Sequence, residues 1–333
     1  MDTPTAPFAS AVALICGLLL AGPDAARGIE TKDAGPAAGH KWTLPLPANA
    51  SLDLMWVPPG TFTMGSPANE PGRGTDEDPP TRVTLSKGFW LGKTHVTIGQ
   101  WKRVIGVGVR TQLVKAINDD TLYDLGGHKQ TLRDLMKWSR DADPASYLGN
   151  EDDDLPMYFV SWNDAMAFAN RLNENERAAG RLPAGYAYNL PTEAQWEFAC
   201  RAGTTTATYA GPNTTAVLDQ VAWYSGNSAM GYAGRPVAPS HFGPRAVGRK
   251  NPNAWGLCDM YGNIWQWCRD WYGPYPGGSV TDPVGPASGS GRVNRGGSFG
   301  SGANNERSAG RAVNPQAEAS AYRGFRLALC PVD

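Results

Sequence analysis

The sequence is poor in the residues that most catalytic chemistries need. Of 333 residues only four are histidine and five are cysteine, and no Cys-x-x-Cys occurs. His40, His95, His128 and His241 are scattered, which leaves no zinc-type spacing. There is no excess of either charge. The formal net charge is −1 with 18% charged residues, so the chain offers no basic stripe for a nucleic-acid backbone and no polybasic patch for anionic lipid. No apolar run reaches the roughly 20 residues that a membrane-spanning helix requires, and no repeat of fixed period is visible.

What is present is turn-forming and aromatic. Glycine (40) and proline (27) are abundant, tryptophan occurs 12 times, and hydrophobic residues make up 41% of the chain. That balance predicts a loop-rich globule packed by large rings and argues against disorder.

The apolar run Ala9 to Ala21, broken by Gly22 and Pro23, suits the h-region of a secretory signal peptide covering residues 1–26. Its n-region lacks a basic residue, and a buried N-terminal helix is the alternative. Residues 27–48 are polar and aperiodic and read as a linker before a single domain at 49–331. Export to the periplasm or cell surface would leave Cys200, Cys258, Cys268 and Cys330. An even number of cysteines in an oxidising compartment favours disulfides over metal.

Within the domain, Leu54 to Ser66 reads as a strand bent at Pro58-Pro59-Gly60, and Val83 to Lys93 as further strands in antiparallel pairing. Three helix starts carry capping signals: Thr97 with Gln100, Ser161 with Asp164, and Thr192 with Gln195. Leu132 to Trp138 is a further amphipathic segment. The acidic run Glu151 to Asp154 lacks the glycine turn and alternating spacing of a calcium loop and reads as solvated surface.

Several blocks, taken in order, resemble the formylglycine-generating enzyme (sulfatase-modifying factor) family. They are Trp56-Val57-Pro58-Pro59-Gly60 with Met64-Gly65-Ser66, Val160-Ser161-Trp162, Leu190-Pro191-Thr192-Glu193-Ala194-Gln195-Trp196-Glu197, Asn253-Ala254-Trp255-Gly256-Leu257, Gly262-Asn263-Ile264-Trp265-Gln266-Trp267, Arg295-Gly296-Gly297-Ser298 and Gly324-Phe325-Arg326. The resemblance implies an α+β fold of low regular secondary structure, related to the C-type lectin fold, with an enlarged insertion at 106–154.

It also implies where chemistry would sit. Family enzymes hold copper(I) between two cysteines in the loop after Arg-Gly-Gly-Ser and oxidise a sulfatase cysteine to formylglycine. Here that loop, from Phe299 to Arg311, contains no cysteine, and Ser301 stands in the place of the first. Hard hydroxyl and amide groups are poor ligands for copper(I), so copper is not expected.

The same loop supplies the ligand-pocket candidates Ser301, Asn305, Glu306, Arg307 and Arg311. The two arginines could equally brace loops by bonding backbone carbonyls. Catalysis by Ser301 is disfavoured, since no nucleophile-elbow motif surrounds it. By resemblance, calcium would draw on the carbonyls of Tyr261, Gly262 and Ile264 and on the side chain of Gln266, where the family normally has Glu. The missing charge predicts weak binding.

Cys200 matches a family position that can be bridged to a cysteine near the Gly-Phe-Arg block. Cys330 lies three residues beyond that partner, and Cys258 with Cys268 could form a second bridge. A free buried thiol is the alternative for Cys200. Cysteine-free relatives leave two functions open: a non-catalytic or ligand-binding module acting on an unknown ligand or extracytoplasmic protein, or an oxidoreductase that does not use cysteine.

Overall fold

A computed structural model of the chain describes residues 35–332, apart from 126–127, 138, 142, 144–147, 149–150 and 229–242. The expected leader, Trp138 and His241 therefore lie outside the described residues. The first half contains strands β1 (Lys41–Leu46), β2 (Ala50–Val57), β3 (Gly60–Met64), β4 (Thr81–Leu85) and β5 (Phe89–Gly92), helices α1 (Ile98–Ile105) and α2 (Val109–Ile117), strands β6 (Tyr123–Leu125) and β7 (His128–Gln130), and helices α3 (Leu132–Met136) and α4 (Trp162–Ala178). There follow β8 (Tyr186–Asn189), α5 (Glu193–Arg201), α6 (Thr215–Val221), β9 (Ala222–Trp223), β10 (Tyr261–Gly262), β11 (Trp265–Trp271), β12 (Ser279–Thr281), β13 (Arg292–Arg295), β14 (Arg311–Asn314), β15 (Arg323–Gly324) and β16 (Ala328–Pro331).

The Pro58-Pro59-Gly60 bend sends adjacent strands into different sheets. β2 joins a five-stranded sheet of order β1-β2-β5-β16-β8, while β3 joins β12-β4-β3. Pairing is antiparallel as expected, with β2 against β5 and β3 against β4. β1 falls inside the stretch read as a linker: Lys41–Leu46 pairs residue by residue with β2, and Leu44 and Leu46 are buried. The folded part thus begins earlier than residue 49.

Strand alternation buries both faces of the five-stranded sheet. Leu54, Trp56, Trp90 and Leu329 point into one apolar cluster, and Met55, Val57, Phe89, Leu91 and Ala328 into another. A strand covered on both sides shows this unbroken hydrophobic run. The first cluster is closed by α1 and α4, where Trp101 stacks on Phe168 at 5.5 Å and Phe325 meets Phe168 edge-on at 5.3 Å.

All three capping boxes form, with Thr97, Ser161 and Thr192 each accepting from the backbone of the third helical residue. Such a cap contributes about 1 kcal/mol per helix. Helix α2 begins at Gly108, which has no capping side chain, and was not expected. No helix among the described residues is long and apolar enough to cross a membrane.

A four-stranded sheet, β14-β13-β11-β15, carries the loop of interest between β13 and β14. The antiparallel pairing of Arg295 with Arg311 fixes both ends of that loop.

Candidate functional site

The loop leaves β13 through Gly296 and Gly297, both in left-handed backbone conformations (φ +93° and +75°). A Cβ on Gly297 would lie 2.2 Å from a carboxylate oxygen of Glu306, so only glycine lets the acid pack there. Ser301 is half-buried, with its hydroxyl 2.9 Å from that of Ser298 and accepting from the Ser298 N–H at 3.1 Å. Asn305 is exposed at the end of a short 3-10 turn.

The arginines brace the loop. Arg307 is 2% exposed and pairs with Glu70 at 2.6 Å and with Glu77 at 2.9 Å, while its Nε donates to the Asn304 carbonyl. Arg311 holds Glu193 through two bonds of 2.6 and 2.9 Å, donates to the carbonyls of Asp76 and Gly273, and stacks on Tyr275 and Tyr272. Arg295 meets Glu197 and the carbonyls of Ala309 and Gly310. Every guanidinium is thus committed internally, and none of the three is presented to a ligand.

Glu306 behaves differently. It is fully buried, and neither oxygen has a hydrogen-bond partner. Burial pushes its carboxyl well above the ordinary range, opposed only by the nearby backbone N–H groups of Ser298 and Gly262. Those two donors are already committed, to the Ser301 hydroxyl and to the Gly296 carbonyl. The buried His95 bonds the Ile264 carbonyl at 3.0 Å, and burial depresses its pKa well below normal.

Two of the four calcium ligands suggested by resemblance, the Gln266 oxygen and the Ile264 carbonyl, are already engaged. The Gln266 oxygen accepts from Trp196 at 2.7 Å and from the Arg326 guanidinium at 2.6 Å. A cation using that oxygen would have to displace both and lie against the Arg326 charge. The Ile264 carbonyl faces His95, and Tyr261 and Gly262 form the short parallel pair β10–β9. As folded, this donor set does not fit calcium through Gln266.

All four described cysteines are free thiols, and neither expected bridge is formed. Cys330 lies 3.7 Å from Gln195 Oε1, in the first turn of α5, whereas Cys200 lies 3.8 Å from Ser308 Oγ, in the last turn. Five residues of helix separate the two positions by about 7.5 Å along the axis. Burial pushes Cys200 up to about 11 and Cys330 up to about 12, and it raises Cys258 and Cys268 as well. Protonated buried thiols are inert, and soft metal ligation needs thiolates.

Glu193, Glu197 and Arg201, spaced every four residues along α5, were missed as a unit. This spacing is the local signal that they share a face. Glu197 is fully buried and accepts from Arg201 and from the Gly65 N–H. Next to the stripe, Asp270 accepts from the Glu193 N–H at 2.9 Å, and burial with the Glu193 charge pushes it up to about 7. A cavity of about 530 Å³ opens at the other end of α5, lined by Phe62, Thr63, Ser66, Phe198 and Thr205. Its one charged wall, Arg201, is already paired with Glu197.

Comparison with known proteins gives a consistent picture. The family described as sulfatase-modifying factor enzyme 1-like domain matches residues 44–330. The formylglycine-generating enzyme of Streptomyces coelicolor is 30% identical over 298 residues, covering 82% of this chain and 87% of that protein. A Bos taurus protein described as inactive C-alpha-formylglycine-generating enzyme 2 is 27% identical over 253 residues, or 70% and 75% of the two chains. Among solved structures, Treponema denticola variable protein 1 superposes with a TM-score of 0.62 at 25% identity, covering 86% of this chain and 98% of that one.

Proposed function

The chain belongs to the sulfatase-modifying factor enzyme 1-like family, and from that membership we propose that it acts as a binding module rather than as a copper-dependent cysteine oxidase. The observation that carries this reading is the state of the loop. Between Ser301 and Arg311 there is no thiol, the arginines are consumed as braces, and the acid is buried with neither oxygen hydrogen-bonded.

The same braces shape the neighbouring cavity. The Ser66 hydroxyl on its wall donates to Glu77 at 2.6 Å, and Glu77 is held by Arg307. Phenyl rings and threonine hydroxyls make this a surface for an uncharged ligand with a flat face. The apolar run at residues 9–21 supports an extracytoplasmic setting.

The test is turnover. Supplied with copper(I), oxygen and a Cys-x-Pro-x-Arg peptide, the purified protein is expected to yield no formylglycine above the enzyme-free control by mass spectrometry. Turnover that disappears in Cys258→Ser or Cys268→Ser would overturn the proposal. Binding is tested with phenyl glucoside, which combines a ring with hydroxyls: a saturable titration lost in Thr63→Trp is expected, and its absence in the parent removes this cavity as the site.

A further inference from the structure

The cavity beside Phe62 borders an open sheet edge. β3 is the last strand of the sheet β12-β4-β3 and has β4 as its partner on one side only. Which of its backbone groups face outward follows from the far side of β4. There the Arg82 N–H donates to the Gly278 carbonyl at 2.8 Å, and the Thr84 carbonyl accepts from the Asp282 N–H at 2.9 Å. Arg82 and Thr84 therefore turn their N–H and C=O groups toward β12, and the residues across from them on β3, Thr63 and Thr61, form the non-hydrogen-bonded pairs of the antiparallel ladder. Their own N–H and C=O groups point away from β4. Both threonines are exposed, and among the described residues no donor or acceptor meets these four groups.

The outer strands of the five-stranded sheet are protected, and β3 is not. β1 carries Lys41 and Pro45, and on β8 the Asn173 amide bonds both the N–H and the carbonyl of Tyr188 at 2.8 Å. Edges are blunted in these ways because a bare one pairs with any strand that meets it. β3 reads Gly60-Thr61-Phe62-Thr63-Met64, without a charge or a proline. Its edge also opens on the 530 Å³ cavity. Successive side chains of a strand point to opposite faces, so a cavity lined by Thr61, Phe62 and Thr63 together lies against the edge rather than one face. Opposite stand Phe198, its ring 5.3 Å from that of Phe62, and the turn at Thr204 and Thr205. The open stretch ends at Gly65, whose N–H donates to Glu197 and whose carbonyl accepts from Arg201.

We infer that this edge binds an extended polypeptide segment of a partner protein, which adds as a further strand beside β3. The free groups of Thr61 and Thr63 pair with the segment's backbone, and an aromatic side chain of the segment packs beside Phe62 and Phe198. The segment is uncharged where it enters the cavity. Arg201 is already spent on Glu197 at 2.9 Å, so a second ion would be desolvated there without a partner. The inference rests on the reading of this cavity given above and deepens it, since the flat face becomes a side chain and the binding energy comes in part from the edge.

The experiment titrates the full-length protein with the capped peptide Val-Thr-Phe-Thr-Val and follows amide exchange residue by residue. Saturable binding is expected, with exchange at Thr61 and Thr63 slowed about tenfold and that of Phe62 and Met64, which face β4, unchanged. Alternate N–H groups of an added strand face the edge, so the peptide N-methylated at its two threonines and the peptide N-methylated at its phenylalanine should behave differently, one losing binding and the other keeping it. Thr63→Pro removes an outward N–H and spares the ladder with β4, and it should bind the peptide about tenfold more weakly at an unchanged melting midpoint. Peptide binding that leaves exchange at Thr61 and Thr63 unchanged, or equal binding of the two N-methylated forms, would mean docking through side chains alone and overturns the added strand. Binding of phenyl glucoside without the peptide also removes the strand but leaves the cavity reading standing, whereas binding of neither removes both.

Discussion

The loop at 295–311 and the segment at 106–154 are both rich in charge and use it in opposite ways. In the loop, Arg307 meets Glu77 with both side chains 2% exposed, whereas in the segment Arg110 meets Glu151 with 48% and 38% exposed. Water screens the second pair and not the first. Buried pairs fix a loop but spend its polar groups on itself. Surface pairs fix little, and the segment that carries them still holds an unengaged acceptor, the buried Gln112 carbonyl.

Breaking the loop's side of this contrast should give the largest effect. Arg307→Ala leaves Glu70 and Glu77 buried without their cation and should lower unfolding free energy by about 3–5 kcal/mol, read by urea denaturation. A loss near zero would place the pair in the surface class and remove the contrast.

A carboxyl without a cation sharpens it from the other direction. Burial, then the Glu193 charge, pushes Asp270 up to about 7. A carboxyl raised on folding stabilises the native state fully below its unfolded pKa, and that contribution is lost as pH rises through about 7. Asp270→Asn keeps an acceptor for the Glu193 N–H and removes the charge. The variant should be more stable than the parent at pH 8 by about 2–4 kcal/mol, at roughly 1.4 kcal/mol per pKa unit, with a smaller margin at pH 5. Parallel melting curves at the two pH values would contradict this.

On the segment's side, Arg110→Ala should leave stability almost unchanged, and should change it less still in high salt. Equilibrium denaturation at two ionic strengths checks it, and a salt-insensitive loss would show the pair to be effectively buried. The smallest effect is expected from EDTA. With Gln266 engaged by Trp196 and Arg326, chelation followed by millimolar calcium should leave the melting midpoint almost unmoved, since only ligands bound to the native state shift it. A clear fall on chelation would reveal a strong cation site.

What could be read in advance was local. Thr97, Ser161 and Thr192 announce their helices because donor and acceptor lie three residues apart, and all three boxes form. Helix α2 gave no such notice, as its cap is the bare backbone of Gly108. β1 was hidden because Pro45 and Pro47 in a glycine- and alanine-rich stretch outweighed the alternation of Trp42, Leu44 and Leu46. The site was less legible than the fold for the same reason: Arg307 finds Glu70 across 237 residues and Arg311 finds Glu193 across 118. Nothing near Glu306 in sequence marks it as an acid without a partner, because that property is set by the glycine it packs against and by donors already taken.

The placement of β16 has a consequence for how the molecule is made. This strand lies inside the five-stranded sheet, with Ala328 pairing with Leu91 on one side and with Asn189 on the other. The Arg326 guanidinium just before it binds the carbonyls of Gly92, Cys258 and Asp259. Until residue 331 has left the ribosome, the sheet has a gap through its interior and β5 and β8 each present an open edge. Closure of this sheet therefore waits for its last strand, with a window in which those edges can pair with the wrong chain.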